Sequence, residues 1–573
     1  MSLKIDTLKK EKKWKFLIEE KNGWYTYKKF TDKWEKILKV SDFTLTVKDI
    51  IQVLSEEDVE RRLVVEINHN GQKDVWTFEP KDICDIGSFK KAIRSRNPSC
   101  WFFDLDNKSL EELIRYIQPT DISYTTEVSQ FWFIKDYNCF TFNDGVIYKQ
   151  KFYPYNDLRV ADLWDLKIKI RERSKYLPKY INDNEYTPDI KYKLSDHMNH
   201  MFWGIQGNLV IWFMISSLFI NSCKKQLKPF PILFASWKRA SWKTIALSHA
   251  MEMFWLENVA GAAEQDNEFV DSFNMNQISS LPYWSDEYKN QRKTQEKQSF
   301  YKTIFDRNWV SKGNIWDKKN PSLWVNTMDV HASLILSWEQ TPSDDAVFSR
   351  VCLIDISDKR SGDLYSEIKQ DSFAYPSLIR DILTNNDFEE LTKKFIVKLI
   401  RAEKILKTQW LEKRILNVYN PIIAWYMLFV EEILWKEIHS SFFNNVAKHA
   451  EEKKQENEND IVEEFFEKVN FKLSKWYNDA SEHIRYNALN KTVNFNFTYL
   501  YWLYSEHEYN AVPKSNLKKY IKAKYNPKDS SMSKTKDKSK WSYWHTMLFD
   551  VDNMPYALQE HVDDFDNENN PPF

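Results

Sequence analysis

Residues 231–244 read PILFASWKRASWKT, and this stretch decides the fold. Apolar residues lead into a polar loop that ends in Lys243 and Thr244, which is the layout of a buried strand, a phosphate-binding loop and a helix. The spacing is that of G-x-x-x-x-G-K-(S/T), except that Trp237 and Trp242 stand at both glycine positions. Glycine is needed there because backbone N–H groups curl around the phosphates, with positive φ angles and no side chain at the points of close approach. Two indoles would fill this cradle.

Composition bears on those two positions. The chain has 9 Gly in 573 residues, where average usage would give about 40. It has 24 Trp, many of them where turns and loops favour glycine, as in LPYWSDE and NPSLWVN. We hypothesise that the gene reads UGA as glycine and that the sequence renders these codons as tryptophan. UGG codons at Trp237 and Trp242 would contradict this; the alternative is a chain that is truly rich in tryptophan.

The remaining composition sets broad limits. The length predicts about three or four domains. The net charge of −1 gives no global attraction to nucleic acid, so any basic surface must be local. Five scattered cysteines without a C-x-x-C pair indicate a reducing, cytoplasmic setting with neither a disulfide framework nor a zinc site. The first residues, MSLKIDTLKKEKKWK, lack the apolar segment of a secretory signal.

Pattern changes along the chain predict five regions. We expect a β-rich α+β domain over residues 1–125, a β-containing connector over 126–200, a P-loop ATPase domain over 201–380 and a helical domain over 381–505. The segment 506–573 reads as small and basic, with an acidic disordered tail. The fold class is therefore an α/β P-loop NTPase core, a parallel sheet between helices, with a β-rich α+β N-terminal region and an all-α C-terminal region.

Two local patterns support this division. Residues 63–78 predict a hairpin that turns at Asn70-Gly71. Residues 201–220 are nearly long and apolar enough to span a membrane, but Gln206 and Asn208 interrupt them. A buried helix that covers the sheet is the better interpretation, and we expect no membrane association.

An acidic pair lies about 40 residues beyond the loop, at the end of ISSLPYWSDE. In a P-loop ATPase, Asp286 would hold Mg²⁺ through water together with Thr244, and Glu287 would polarise the attacking water. Pro282 in the approach weakens the strand prediction, because proline is rare inside sheets.

A third element comes later, in HASLILSWEQTPSDDAVFSR. A short buried strand ends near Ser337 and Glu339, where a γ-phosphate sensor would stand. Arg350 closes the segment at the position where ring ATPases carry an arginine that stabilises transition-state charge in the neighbouring subunit. A surface salt bridge is the alternative role for Arg350.

Two other polar groups were considered. Asp196, His197 and His200 in DHMNH could ligate a metal, but nothing nearby in the sequence completes the set. Near the C-terminus lysines alternate with aromatics, a pattern that holds single-stranded nucleic acid, although a flexible solvated loop fits equally well. The lysines concerned are Lys518, Lys519, Lys522 and Lys524.

With tryptophan replaced by glycine, the motif segments become FASGKRASGKT, LPYGSDEY and LILSGEQTPSDDAVFSR. Over roughly residues 15–355 the chain then resembles helicase-like P-loop ATPases of phages, plasmids and mobile elements. The resemblance implies ATP hydrolysis coupled to movement on DNA during replication of the element, in a homo-oligomeric ring and with a primase as a possible partner.

The resemblance also implies roles for individual residues. Lys243 would contact the β- and γ-phosphates, Thr244 and Asp286 would serve Mg²⁺, Glu287 would be the base, and Arg350 would act in trans. The loop that holds ATP comprises Trp237, Lys238, Arg239, Ala240, Ser241, Trp242, Lys243 and Thr244.

Two alternatives stay open. If Trp237 and Trp242 are real, the chain could be a non-enzymatic DNA-binding or scaffold protein with a degenerate nucleotide site. It could also be a P-loop ATPase motor that does not unwind DNA.

Overall fold

The structure is a computed structural model of the 573-residue chain. It describes residues 16–21, 23–30, 35–54, 59–102, 106–117, 124–128, 131–157, 159–170, 180, 190–202, 205–226, 228–236, 242–256, 260–262, 268–288, 297–306, 310–313, 325–328, 330–338, 342, 344–356, 362–408, 412–434, 436–476, 483–487, 489–506, 511–533 and 543–558. The chain divides into two compact units, Met1–Tyr180 and Ile181–Phe573.

The strands of the first unit are β1 Phe16–Lys21, β2 Trp24–Phe30, β3 Glu35–Ser41, β4 Phe43–Leu54, β5 Val59–His69, β6 Gln72–Phe78, β7 Tyr124–Val128, β8 Phe131–Ile134, β9 Cys139–Thr141, β10 Gly145–Tyr148, β11 Lys151–Pro154, β12 Val160–Asp162 and β13 Lys167–Ile170. Those of the second unit are β14 Ile232–Ser236, β15 Ala260–Ala262, β16 Ile278–Ser279, β17 Pro282–Asp286, β18 Val310–Gly313, β19 Val325–Met328, β20 Ser333–Trp338, β21 Val351–Asp355, β22 Ile484–Asn487, β23 Thr492–Phe495, β24 Lys528–Ser533 and β25 Tyr543–Asp550.

The first unit has helices α1 Pro80–Ile83, α2 Ile86–Arg96 and α3 Asn107–Ile117. The second has α4 Ile190–Met201, α5 Ile205–Ser216, α6 Ile220–Lys225, α7 Trp242–Glu252, α8 Glu268–Gln277, α9 Gln298–Asp306, α10 Asp345–Phe348, α11 Gly362–Asp371, α12 Pro376–Asn385, α13 Phe388–Thr408, α14 Lys413–Leu428, α15 Ser441–Trp476, α16 Phe497–Ser505 and α17 Lys514–Tyr525. Short 3-10 turns lie at Ser217–Phe219, Ser372–Ala374, Val551–Asn553 and Tyr556–Leu558, and a π-helical turn lies at Phe429–Ile433.

The first unit is built largely from sheets. Its largest sheet has the order β12-β13-β7-β4-β5-β6, and α2 and α3 pack on it through Phe89, Ile93 and Leu113. The predicted hairpin is confirmed: β5 and β6 pair antiparallel, and the turn residues Asn70 and Gly71 have φ angles of 52° and 84°. Both values are positive, as an Asn-Gly hairpin turn requires.

The second unit is organised around a five-stranded sheet of order β15-β17-β20-β14-β21, in which every pairing is parallel. Its strands are short and apolar because both faces are covered, as in other parallel sheets. Residues 232–236 of β14 are all buried. Pro282 is the first residue of β17, where the missing N–H is tolerated, so the strand forms in spite of the proline.

The apolar stretch before β14 is α5, and the prediction of a buried helix is confirmed. Ile205–Lys225 is long and apolar enough to cross a membrane by length and composition, but 78% of its best window is buried inside the structure. α5 packs against α4, α7 and α14, so its all-round apolar surface is explained by contacts within the protein.

From α11 to α15, a helix of 36 residues, the described residues form helices and their connections, whereas beyond α15 the helices α16 and α17 alternate with strands. The prediction of an all-α region is wrong beyond it, because β22, β23, β25 and β24 form an antiparallel sheet in that order. The residues concerned alternate in burial, with Val493 and Phe495 inside and their neighbours partly exposed, which is the period-two pattern of a half-buried strand.

Candidate functional site

Four polar residues stand in a row across the carboxyl edge of the parallel sheet. The register pairs Asp286 of β17 with Ser337 of β20, and Ser236 of β14 with Asp355 of β21. β14 also pairs with β20, so the ends of all four strands lie at one edge. In open α/β sheets, ligands bind outside the carboxyl ends of the strands, which makes this edge the candidate site.

The phosphate-loop segment begins at this edge. β14 ends at Ser236 and α7 starts at Trp242, so a strand precedes the predicted loop and a helix follows it. Trp237, Lys238, Arg239, Ala240 and Ser241 lie outside the described residues, as do the side chains of Trp242 and Lys243. Thr244 is exposed in the first turn of α7.

Asp286 is held in place by the neighbouring strand. The hydroxyl of Ser337 donates to Asp286 Oδ1 at 2.6 Å, and the backbone N–H of Glu287 donates to the same oxygen at 2.8 Å. The indole N–H of Trp284 donates to Ser337 Oγ at 2.8 Å. Ser337 is fully buried, whereas Asp286 is half-buried. These bonds fix the carboxylate at the sheet edge, with β20 between its strand and β14, which leads into the phosphate-loop segment.

Two further acidic residues, Glu287 and Glu339, were predicted for the site. Glu287 follows Asp286 directly, is exposed, and has a φ angle of 60°, a left-handed conformation that is uncommon for a residue with a side chain. Such conformations cluster at functional sites. Glu339, proposed with Ser337 as a sensor, lies outside the described residues.

Arg350 is directed towards its own chain. Its guanidinium donates to the carbonyl of Ala346, lies 3.7 Å from a carboxylate oxygen of Asp306, and stands 5.5 Å above the ring of Phe305. The side chain is 12% exposed. To reach a neighbouring subunit, Arg350 would have to leave these contacts.

An ion pair that the sequence did not indicate lies at the same edge. Asp355 Oδ1 accepts a hydrogen bond of 2.6 Å from Ser236, and Oδ2 pairs with Lys453 of α15. Burial lowers the pKa of Lys453, but its hydrogen bonds to Asp355 and Glu456 outweigh this and raise it overall. Lys453 lies within the charged run EEKKQENEND, where nothing distinguishes it from its neighbours. Asp355 stands at the end of an apolar run, and this position could have indicated a role at the sheet edge.

A second missed pair lies beneath β17. Lys297 and Asp271 are 2.7 Å apart, and both side chains are almost fully buried. The hydroxyl of Tyr283 donates to Asp271 at 3.1 Å. Because each charge is matched in a dry environment, removing one partner would leave the other uncompensated.

The candidate metal ligands of the DHMNH segment do not come together as one set. His197 is buried and lies near Glu367 and Asp371 of α11, rather than forming a set with Asp196 and His200. Its Nδ1 is 2.7 Å from the hydroxyl of Tyr375, and burial lowers its pKa. Asp371 already pairs with Lys193 at 2.9 Å. A cation is therefore already in place beside these carboxylates.

The lysines proposed for nucleic acid all lie on α17 but do not share one face. Lys524 pairs with Glu463 of α15, which also accepts a bond of 2.7 Å from Tyr525. Lys519 is exposed, whereas Lys518 and Lys522 are partly buried.

Comparison with solved structures gives a similar fold at low sequence identity. The structure titled "SCCmec type IV Cch - active helicase" matches with a TM-score of 0.50 and 12% identity, covering 93% of this chain and 98% of that chain. The apo A form of the NrS-1 C-terminal region matches with a TM-score of 0.22 and 10% identity over 70% of this chain and 91% of that one. JCV helicase with a bound acetamide compound matches with a TM-score of 0.17 and 12% identity over 47% of this chain and 67% of that one.

Only the first match is close enough to bear on the fold. No protein-family model matches the chain, and no curated protein matches it significantly. The chain therefore shares the fold of that structure over most of its length, and the likeness is one of fold and not of sequence.

Proposed function

We propose that the protein is an Mg²⁺- and ATP-dependent DNA helicase or translocase that acts in the replication of a phage, plasmid or other mobile element. One observation carries this proposal. Asp286 of β17 is fixed by Ser337 of β20 at the carboxyl edge of a parallel sheet. The next strand after β20 is β14, which leads into the G-x-x-x-x-G-K-(S/T)-like segment. The strand that precedes the phosphate-loop segment and the strand that carries Asp286 thus end at the same edge of the sheet, which supports the proposal.

The residues at this edge fit a magnesium nucleotide. Mg²⁺ prefers oxygen ligands and is bound through one or two carboxylates together with phosphate oxygens. Asp286 and Thr244 offer a carboxylate and a hydroxyl of this type. When bound, the ion would supply positive charge that offsets the charge of the phosphates. Lys243 would hold the phosphates at the start of α7, and Glu287 would orient the attacking water.

ATP hydrolysis tests this assignment. The full chain with glycine at positions 237 and 242 should hydrolyse ATP, single-stranded DNA should stimulate the rate, and Lys243→Ala should abolish it. Lys225→Ala is the matched control, because Lys225 is an exposed lysine on α6. Hydrolysis that survives Lys243→Ala would refute the site. Strand-displacement assays separate a helicase from a motor that does not unwind DNA.

We also propose that the natural protein carries glycine at Trp237 and Trp242. Backbone conformation supplies support that is independent of the motif. Trp132, Trp164 and Trp255 have φ angles of 75°, 79° and 58°. For a bulky residue such values are genuine outliers, whereas glycine adopts them freely. At least these three tryptophans therefore occupy positions whose backbone conformation favours glycine, in a chain that is short of glycine and rich in tryptophan.

Two measurements test the glycine proposal. The first is the codon at each position, where UGG at positions 237 and 242 would refute it. The second is isothermal titration of ATP into the chain as written and into the Trp237→Gly/Trp242→Gly form. We expect tight binding only in the glycine form, because indoles would occupy the cradle. Equal affinities would show that the steric argument is wrong.

A different function follows if the tryptophans are natural. The protein would then be a DNA-binding or scaffold protein that keeps the fold without using the nucleotide site. DNA binding without ATP binding, together with UGG codons, would favour this function over the first.

A further inference from the structure

The chain after the middle of α15 has the topology of a winged helix. In chain order it runs through α15, β22, β23, α16, α17, β24 and β25, and the four strands lie in the sheet order β22-β23-β25-β24. All three pairings are antiparallel. With β22 as an added edge strand, the order of a helix, a strand, two helices and a closing hairpin is that of a helix-turn-helix with a wing, and the second helix of a helix-turn-helix enters the major groove of DNA.

One core holds this module together. It joins apolar residues of α15, the sheet and both following helices, among them Phe465, Phe495, Leu503, Leu517 and Phe549. Within α17, Leu517 and Ile521 face that core. The helix is thus oriented by its buried side, which leaves the stripe of Ser515, Lys519 and Ala523 exposed.

The charge of α17 suits a phosphate-rich partner. Its sequence KSNLKKYIKAKY has five lysines and no acidic residue. On the exposed stripe, Ser515 and Ala523 flank Lys519. Because both side chains are small, the floor of a DNA major groove could approach the helix closely. The strands β24 and β25 are joined in sequence by KTKDKSKWS, which lies outside the described residues.

A basic groove continues from this helix towards the parallel sheet. A cavity of about 190 Å³ beside the edge strand β21 is lined by four basic residues, Arg414, Lys453, Lys454 and Lys519, and by two acidic ones, Glu412 and Glu458, so its charge is basic on balance. Lys454 pairs with Glu412 at 2.5 Å, whereas Arg414 is exposed. The cavity is far too small to admit a duplex, so it can take part only as a surface that a phosphate backbone crosses.

We infer that α17 and the groove next to it bind double-stranded DNA, with Lys519 and Arg414 contacting the phosphate backbone. This deepens the proposed function by adding duplex DNA as a partner, but it does not depend on ATP. Single-stranded DNA was the expectation from sequence, since lysines alternate with aromatics. The structure favours a duplex because Tyr520 and Tyr525 pack against the module's core instead of forming an exposed stacking row.

Salt-dependent binding tests this inference. Fluorescence anisotropy of a labelled blunt duplex and of a single strand of equal length is measured with the full chain, in the absence of nucleotide, over a series of salt concentrations. Each phosphate contact contributes about 0.9 to the slope of log K against log salt. We expect Lys519→Gln and Arg414→Gln each to lower the duplex slope by about 1 and the double variant by about 2.

The control is Lys91→Gln, which removes the same charge from an exposed position on α2 of the first unit and should leave the slope unchanged. Equal affinity for both forms of DNA, or variants that weaken only single-strand binding, would overturn the inference. So would wild-type slopes in both variants, once circular dichroism shows that they are folded. Lys243→Ala should abolish ATP hydrolysis but keep duplex binding, so failure of either proposal can be recognised separately.

Discussion

Replacing Trp164 by glycine should stabilise the first unit, although it removes a large side chain. Trp164 lies in the turn between β12 and β13, with a φ angle of 79° and 95% of its side chain exposed. The turn is closed by the bond from Leu163 N–H to the carbonyl of Leu166, at 2.8 Å. The indole therefore buries almost nothing, while the backbone is held in a region that disfavours L-residues.

The magnitude follows from two opposing contributions. A left-handed conformation costs an L-residue about 1–2 kcal/mol. Glycine loses more conformational freedom on folding, which offsets about 0.5–1 kcal/mol of the gain. We expect a net increase of about 0.5–1 kcal/mol in the free energy of unfolding, or a rise in Tm of about 1–4 °C for a unit of this size.

Urea and thermal unfolding of the full chain, followed by a probe in the first unit, would measure this change. Trp164→Ala is the matched control, because it removes the same indole but keeps the unfavourable φ angle, and it should have little effect. Trp101→Gly should not stabilise, because Trp101 has no positive φ angle to relieve and it packs under Arg94 at 5.2 Å. If Trp164→Ala stabilises as much as Trp164→Gly, the explanation from backbone conformation is wrong.

Three other predictions concern the second unit. Ser337→Ala should raise the Mg²⁺ concentration needed for half-maximal ATP hydrolysis about 10- to 100-fold, because Asp286 loses the hydrogen bond that positions it. A magnesium titration of the ATPase rate measures this, and an unchanged curve would contradict it. Asp355→Asn should lower the free energy of unfolding by up to about 3 kcal/mol in urea, because the buried ammonium of Lys453 loses a charged partner. Burial lowers the pKa of His449, so the unfolded state binds a proton first as the pH falls; stability should therefore decrease as the pH drops through about 6.5, and His449→Gln should flatten that slope.

Several elements could be predicted from sequence because their signals are local. The hairpin at Asn70-Gly71 follows from turn chemistry, and α13 follows from apolar residues that recur every three or four positions. The order of a buried strand, a loop and a helix around residues 231–252 also follows from neighbouring residues alone. The first two strands after α15, β22 and β23, could not be predicted because they are four residues each, too short for the alternation to stand out.

The contacts that define the site could not be predicted in this way, because they join residues far apart in the chain. Ser337 and Asp286 are brought together only by the pairing of β20 with β17, and Lys453 reaches Asp355 only because α15 packs beside the edge strand. A list of charged residues in sequence gives no indication of which two will be desolvated together. That choice depends on which faces are covered when the sheet and helices pack.

The segment 231–244 shows both sides of this division. The sequence by itself determined that a strand enters a loop with phosphate-loop spacing, and its composition raised the question of whether Trp237 and Trp242 are glycine. Only the tertiary structure decided that this strand lies between β20 and β21, with Asp286 and Asp355 on either side. Spacing is a property of neighbouring residues, whereas strand order depends on how distant segments pair and bury their faces.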